Sequence, residues 1–261
     1  MQPTILIGDV HGCLDELRLL WSRLPLTKET RIIFLGDLID RGPDSVGVLE
    51  FVEEQSTRYP FLTLLLGNHE LKAIAHYYHG DPSQVCLKER HIHFLETALP
   101  YFSFENGKYL AVHGGIYPAF WNQYSQLPPV ASRDLWDARL LQAVERFCFC
   151  RYVDAKGYPV PLGKQSSQDD YWADIYPGHY GTVFFGHQPF FKGPTLFPHA
   201  IALDNGCAFG GELSAAILDE DAKVRFLSVK ALRAYSPYIN YGNRIASYQR
   251  ESLKIPHLSF G

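Results

Sequence analysis

At 261 residues, 46% hydrophobic and 20% charged, the chain is long enough to bury a large core and has the composition of a soluble globular protein. Its formal net charge of −4 supplies no global positive field, so neither stable nucleic-acid binding nor attachment to an anionic membrane is expected. The five cysteines, Cys13, Cys86, Cys148, Cys150 and Cys207, are odd in number and form neither a disulfide framework nor a CxxC pair, which suits reduced thiols in a cytoplasmic protein.

Six short apolar runs share one feature: each stops at a residue able to bind a metal ion or a phosphate. Residues 4–7 lead through Gly8 to Asp9, 32–35 through Gly36 to Asp37, and 61–66 through Gly67 to Asn68. Residues 109–112 end at His113, 183–185 end through Gly186 at His187, and 201–203 end at Asp204. Runs of this length without clean alternation are predicted as strands buried on both faces. Helical patterns follow the early runs. Leu14, Leu17, Leu20, Trp21 and Leu24 share one face, as do Val46, Leu49 and Val52, with Asp44 placed to cap the second helix.

This β-α-β-α-β rhythm implies parallel pairing, with ligands bound beyond the carboxyl ends of the strands. Later, residues 102–105, the Asn106-Gly107 turn and 109–112 read as a hairpin, and 214–218 with 224–229 as another strand pair, so the second half is predicted to be more antiparallel. Residues 117–180, with many prolines, tyrosines and tryptophans and little periodicity, read as an insertion over the site within a domain spanning 1–230. Residues 231–261 read as a C-terminal arm. No apolar run approaches the roughly 18 residues of a membrane span, and the first ten residues lack the basic and apolar regions of a secretory leader.

Taken singly, each polar stop has a bland reading as a turn residue, a helix cap or a surface ion pair. Together they form a complementary ligand set in one order. The segments GDVHG (8–12), GDLIDRG (36–42), GNHE (67–70), HGG (113–115) and GH (186–187) resemble the successive signature motifs of PPP-type calcineurin-like metallophosphoesterases. That group includes serine/threonine protein phosphatases and bacterial dinucleoside tetraphosphatases. Residues 203–218, LDNGCAFGGELSAAIL, resemble the corresponding part of the bacterial branch.

The resemblance implies an α/β fold with a central β-sandwich of two mixed sheets flanked by helices. It implies that Asp9 and His11 bind one metal, that Asp37 bridges two, and that Asn68, His113 and His187 complete the second. It further implies His69 as general acid paired with Asp40, Arg41 as a phosphate clamp, and Asn68 donating its amide to phosphate. A further arginine is expected between the HGG and GH motifs; Arg139, Arg146 and Arg151 compete, and Arg151 is favoured.

The cofactors implied are two divalent metal ions, Mn²⁺ by the resemblance, with Fe or Zn²⁺ compatible with oxygen and imidazole donors. The leading activity is hydrolysis of phosphomonoesters, as in a serine/threonine protein phosphatase, by a hydroxide bridging two metals. The alternative is a bis(5'-nucleosyl)-tetraphosphatase. The partner is accordingly a phosphorylated protein or a nucleotide. An inactive scaffold is disfavoured because none of the six implied ligands is replaced. Glu70 reads as a supporting or helix-start residue, and Trp121, Trp136, Tyr171 and Trp172 as packing rather than base-stacking groups.

Overall fold

Alternation along a strand sends neighbouring side chains to opposite faces, and in the central strands here both faces are buried. The computed structural model describes residues 1–80 and 87–239; Cys86 and residues 240–261 of the expected arm lie outside them. The strands are β1 (Thr4–Ile7), β2 (Arg31–Phe34), β3 (Leu62–Leu64), β4 (Tyr101–Phe104), β5 (Tyr109–Val112), β6 (Tyr152–Val153), β7 (Asp170–Tyr171), β8 (Thr182–Phe185), β9 (Thr195–Leu196), β10 (Ala200–Ala202), β11 (Asp204–Asn205), β12 (Glu212–Leu218) and β13 (Val224–Lys230). The helices are α1 (Leu14–Trp21), α2 (Ser45–Arg58), α3 (Asn68–His79), α4 (Glu89–Leu95), α5 (Pro118–Gln123), α6 (Ala138–Glu145) and α7 (Trp172–Ile175).

In the first sheet β1, β2 and β3 run parallel, β12 lies antiparallel to β1, and β11 and β13 lie antiparallel to β12. In the second, β5, β8 and β10 run parallel, with β4 and β9 antiparallel at the edges. The two mixed sheets face each other: Leu6, Ile33 and Leu35 of the first meet Ala111, Phe184 and Ile201 of the second. Ile5, Ile7, Ile32 and Phe34 turn the other way, against Leu17 and Leu20 of α1 and Val48 and Val52 of α2. Leu110, Val112, Val183 and Phe185 point outward from the second sheet onto Phe120, Phe147 and Trp172. Each such side chain contributes about 1.5–3 kcal/mol on burial, which drives the sandwich together.

Two expectations are corrected in detail. Helix α2 buries Val48, Leu49 and Val52, while Val46 stays partly exposed, because the helix begins at Ser45, with the Asp44 carboxylate accepting the Gly47 N–H at 2.7 Å. The second half is less antiparallel than its hairpins imply. The long connection from β5 to β8 contains α5, α6 and α7, and a crossover of that length permits parallel pairing. Within that segment Trp121, Tyr171 and Trp172 are buried, and Trp136 stacks on Tyr101 at 6.3 Å, so these aromatics pack as expected. Cys13, Cys148, Cys150 and Cys207 are free and buried, and no helix among the described residues is long and apolar enough to cross a membrane.

Candidate active site

The turns that end β1 and β2 are stacked, with the backbone N–H groups of Val10 and His11 donating to the Asp37 carbonyl at 3.1 and 2.8 Å. Close approach of the two sheets requires Gly8, where a Cβ would lie 2.2 Å from the Leu203 carbonyl oxygen. His11, Asp37, Asp40, Arg41 and His187 all have positive φ, between 47° and 70°, a sparsely populated conformation for residues with side chains. Strain of this kind concentrates at functional sites, where the surroundings over-determine it.

Glu70 supplies much of that determination. Its carboxylate accepts the N–H groups of Asp37 at 2.8 Å, Leu38 at 2.8 Å and Gly67 at 3.0 Å, tying the second and third motif loops to α3. It is a support rather than a member of the converging donor set, as the sequence implied.

The side chains then converge. His11 Nδ1 donates to the Ile39 carbonyl at 2.9 Å, and His113 Nδ1 to the Leu35 carbonyl at 2.7 Å, so each ring presents Nε2 inward. His11 Nε2 lies 3.5 Å from Asp37 Oδ2 and 4.0 Å from Asp9 Oδ2. His113 Nε2 lies 3.3 Å from Asp37 Oδ1 and 3.2 Å from Asn68 Oδ1. Asp9 accepts the His187 backbone N–H on both carboxylate oxygens, at 3.1 and 3.0 Å.

On the open side, His69 Nδ1 donates to Asp40 Oδ2 at 2.6 Å, and its Nε2 stands 3.2 Å from Arg41 Nη2. Arg151 Nη2 donates to the His187 carbonyl at 3.1 Å and lies 3.5 Å from His187 Nδ1. The other two arginines lie elsewhere: Arg146 sits over the Tyr158 ring, and Arg139 is exposed.

The electrostatics are those of a site with unbalanced charge. Burial, reinforced by Asp204 and Asp37, holds the Asp9 carboxyl well above the usual carboxylate range. Burial likewise pushes Asp204 up to about 6 and Glu70 up to about 7. Burial also opposes ionisation of Asp37, but His113, His11 and His69 outweigh it and hold that carboxyl well below its ordinary value. His11 is lowered to about 4 by burial, and His187 is lowered well below its ordinary value by burial and then by Arg151.

The buried carboxylates of Asp9, Asp37 and Asp204 repel one another, and cations among them relieve that repulsion. The donors fit that role. His187 Nε2 is buried without a hydrogen-bond partner among the described residues, and in each of two groups that share Asp37, His11–Asp37–His69 and Asp37–His113–His187, the potential ligand atoms lie within 4.8 Å of one another. All are oxygen or imidazole donors, a set that suits Mn²⁺, Fe or Zn²⁺. His69, read from the sequence as an acid, is thus also near enough to the first group to reach a cation, while Asp9 Oδ2 lies 4.0 Å from His11 Nε2, outside both groups.

Asp204 stops the sixth apolar run as a residue able to bind a metal ion or a phosphate, but is not among the ligands the resemblance implies. It is 3% exposed, accepts the Gly206 N–H at 2.9 Å, and its charge acts on Asp9. Its position at the stop of a sixth apolar run was the available signal. Phe209, whose ring carries the Arg41 guanidinium at 4.9 Å, was not legible from any spacing.

A sandwich of two mixed sheets that gathers a shared-carboxylate His/Asp cluster at its strand ends defines a metallophosphoesterase. The chain matches the family of calcineurin-like phosphoesterases over residues 3–227 and belongs to it. It is 30% identical to the asymmetrical bis(5'-nucleosyl)-tetraphosphatase PrpE of Bacillus subtilis, over 80% of this chain and 88% of that one. It is 31% identical to the symmetrical bis(5'-nucleosyl)-tetraphosphatase of Methylococcus capsulatus, over 82% and 90%.

Among solved structures, it resembles a candidate diadenosine tetraphosphatase, with a TM-score of 0.66 at 22% identity over 88% of this chain and 94% of that one. A protein serine/threonine phosphatase of Saccharomyces cerevisiae shares the fold, with a TM-score of 0.59 at 16% identity over 88% and 80%. The chain is therefore a hydrolase of phosphoester or phosphoanhydride bonds.

Proposed function

We propose that the chain is a cytoplasmic bis(5'-nucleosyl)-tetraphosphatase, hydrolysing dinucleoside polyphosphates with two divalent cations, Mn²⁺ foremost. The observation that carries this reading is the likeness, over at least 80% of the chain, to tetraphosphatases of both the symmetrical and the asymmetrical kind. The order of the two activities read from the sequence is thereby reversed. The likeness to protein phosphatases lies at the level of the fold, and the phosphomonoester reading keeps the His69–Asp40 pair as its support, since an acid helps most when the leaving group is poor.

In this reading Asp9 and His11 hold one cation, Asp37 holds both, and Asn68, His113 and His187 complete the second. Such a pair, when bound, neutralises phosphoryl charge and brings the pKa of water toward about 7. The chain's own groups do the rest. Arg41 and Arg151 clamp phosphoryl oxygens from two sides, Arg41 through a planar fork that matches two oxygens at once. Arg41 moving onto phosphate leaves His69 Nε2 free to take up a proton from water and pass it to the departing oxygen, with Asp40 accepting from Nδ1 and fixing the ring. The Asn68 amide nitrogen donates to phosphate while its oxygen faces the same centre as His113. Residues 117–180, packed on the outward face of the second sheet, deliver Arg151 to His187.

The test is a substrate panel with Mn²⁺ or chelator: diadenosine tetraphosphate, a phosphopeptide, an aryl phosphate and a cyclic nucleotide. Cleavage of diadenosine tetraphosphate with the highest kcat/KM supports the reading. A preference for the phosphopeptide restores the phosphomonoester activity to first place.

A further inference from the structure

We propose that Phe191, Phe209 and Tyr238 form a stacking subsite for one nucleobase of the substrate, an inference that rests on the dinucleoside polyphosphate reading. Three separate segments bring the rings together: the loop after His187, the turn between β11 and β12, and the segment that follows β13. Ring centroids lie 5.0 Å apart for Phe191 and Tyr238, 5.3 Å for Phe209 and Tyr238, and 6.5 Å for Phe191 and Phe209. The planes meet at 78°, 73° and 67° respectively, so each pair of rings meets edge to face.

Phe191 is 45% exposed although its neighbour Phe190 is buried in the core. It is nevertheless seated, for a Cβ on Gly206 would come within 2.5 Å of its ring. A seated aromatic residue that is nearly half exposed offers apolar ring surface of the kind a base stacks on.

Arg41 separates this cluster from a stray apolar patch. Its guanidinium carbon lies 4.9 Å from the Phe209 centroid, a cation–π contact, while its Nη2 stands 3.2 Å from His69. One side chain thus touches both the proposed acid and the aromatic wall. A phosphate clamped by Arg41 carries its nucleoside a few bonds away, within reach of Phe191. Within residues 117–180 Trp121, Tyr171 and Trp172 are consumed in packing, and the half-open Tyr158 is stacked by Arg146 rather than by an arginine of the motif loops. Base–aromatic stacking tolerates any base, so the subsite selects for a nucleoside rather than for adenine.

Two variants of the full chain test this. In Zn²⁺-loaded Phe191→Trp, the fluorescence added by the substitution is expected to fall with ADP and not with inorganic pyrophosphate at the same concentration. Phe191→Ala is expected to lower, by about tenfold, the ratio of kcat/KM for diadenosine tetraphosphate to that for inorganic tetraphosphate, and Phe191→Trp to restore it.

Equal responses to ADP and pyrophosphate, with that ratio unmoved, overturn the subsite. So does a fluorescence change with an apolar phosphopeptide and none with ADP, which assigns the rings to a protein chain. The two readings fail separately. Selective quenching by ADP without cleavage of diadenosine tetraphosphate sinks the reaction and upholds the subsite; cleavage that is blind to Phe191→Ala sinks the subsite alone.

Discussion

His187 donates its backbone N–H to both carboxylate oxygens of Asp9 across 178 residues of sequence, joining the carboxyl end of β8 in one sheet to that of β1 in the other. Because the donor is backbone, the joint survives loss of the imidazole. His187→Ala is predicted to keep the fold and to lose cation affinity beyond the roughly 10–100-fold that follows removal of an outer-shell partner. Circular dichroism and a Mn²⁺ titration read the two effects. Undiminished affinity contradicts the assignment of this ring.

Glu70 holds three backbone N–H groups with two oxygens. In Glu70→Gln, one oxygen becomes an amide that faces a donor and leaves it unpaired. The expected cost is about 1–3 kcal/mol of stability, measured in urea. Activity should fall as well, because the N–H groups of Asp37 and Leu38 are among those released. An unchanged urea midpoint refutes the supporting role.

His69→Asn is predicted to cost on the order of 100-fold with an alkyl phosphate, whose oxygen needs a proton as it leaves. With an aryl phosphate the loss should stay below about tenfold, since that leaving group departs unaided. Steady-state rates on the two substrates decide the matter, and equal slowing counts against His69 as the acid.

Asp204 provides a pH test in metal-free protein. Burial raises its carboxyl to about 6 in the folded chain, so from about pH 4 to 6 the folded protein holds a proton that the unfolded chain has released. This side chain therefore lowers stability as pH rises through that window. Asp204→Asn, which keeps an oxygen for the Gly206 N–H, removes the effect. Relative to the parent, the variant should gain in Tm between about pH 4.5 and 6.5 in chelator, and a constant difference across the window rules the mechanism out.

Much of this was legible from residue order alone, for a physical reason. Strands buried on both faces read as unbroken apolar runs, and a polar residue that stops such a run, like Asp37 after Leu35, stands out at the end where ligands bind. The rest of the site depends on long-range packing, which leaves no local pattern in the sequence. Arg151 reaches His187 only through the path that residues 117–180 take across the second sheet. Asp204 approaches Asp9 only because β12 lies antiparallel to β1 and carries β11 beside it. The parallel run β5–β8–β10 was hidden because hairpin patterns announce themselves locally, whereas a long crossover does not. The pairing of Arg41 with Phe209 joins two distant turns and has no periodic signature.

Asp37 belongs to both ligand groups, so it is the residue on which a two-cation centre stands or falls. The decisive measurement is the number of Mn²⁺ ions bound per chain at equilibrium in the parent protein and in Asp37→Asn, with folding checked in parallel. Two ions in the parent and fewer than one in the variant are predicted; two ions retained without the Asp37 carboxylate contradict the account.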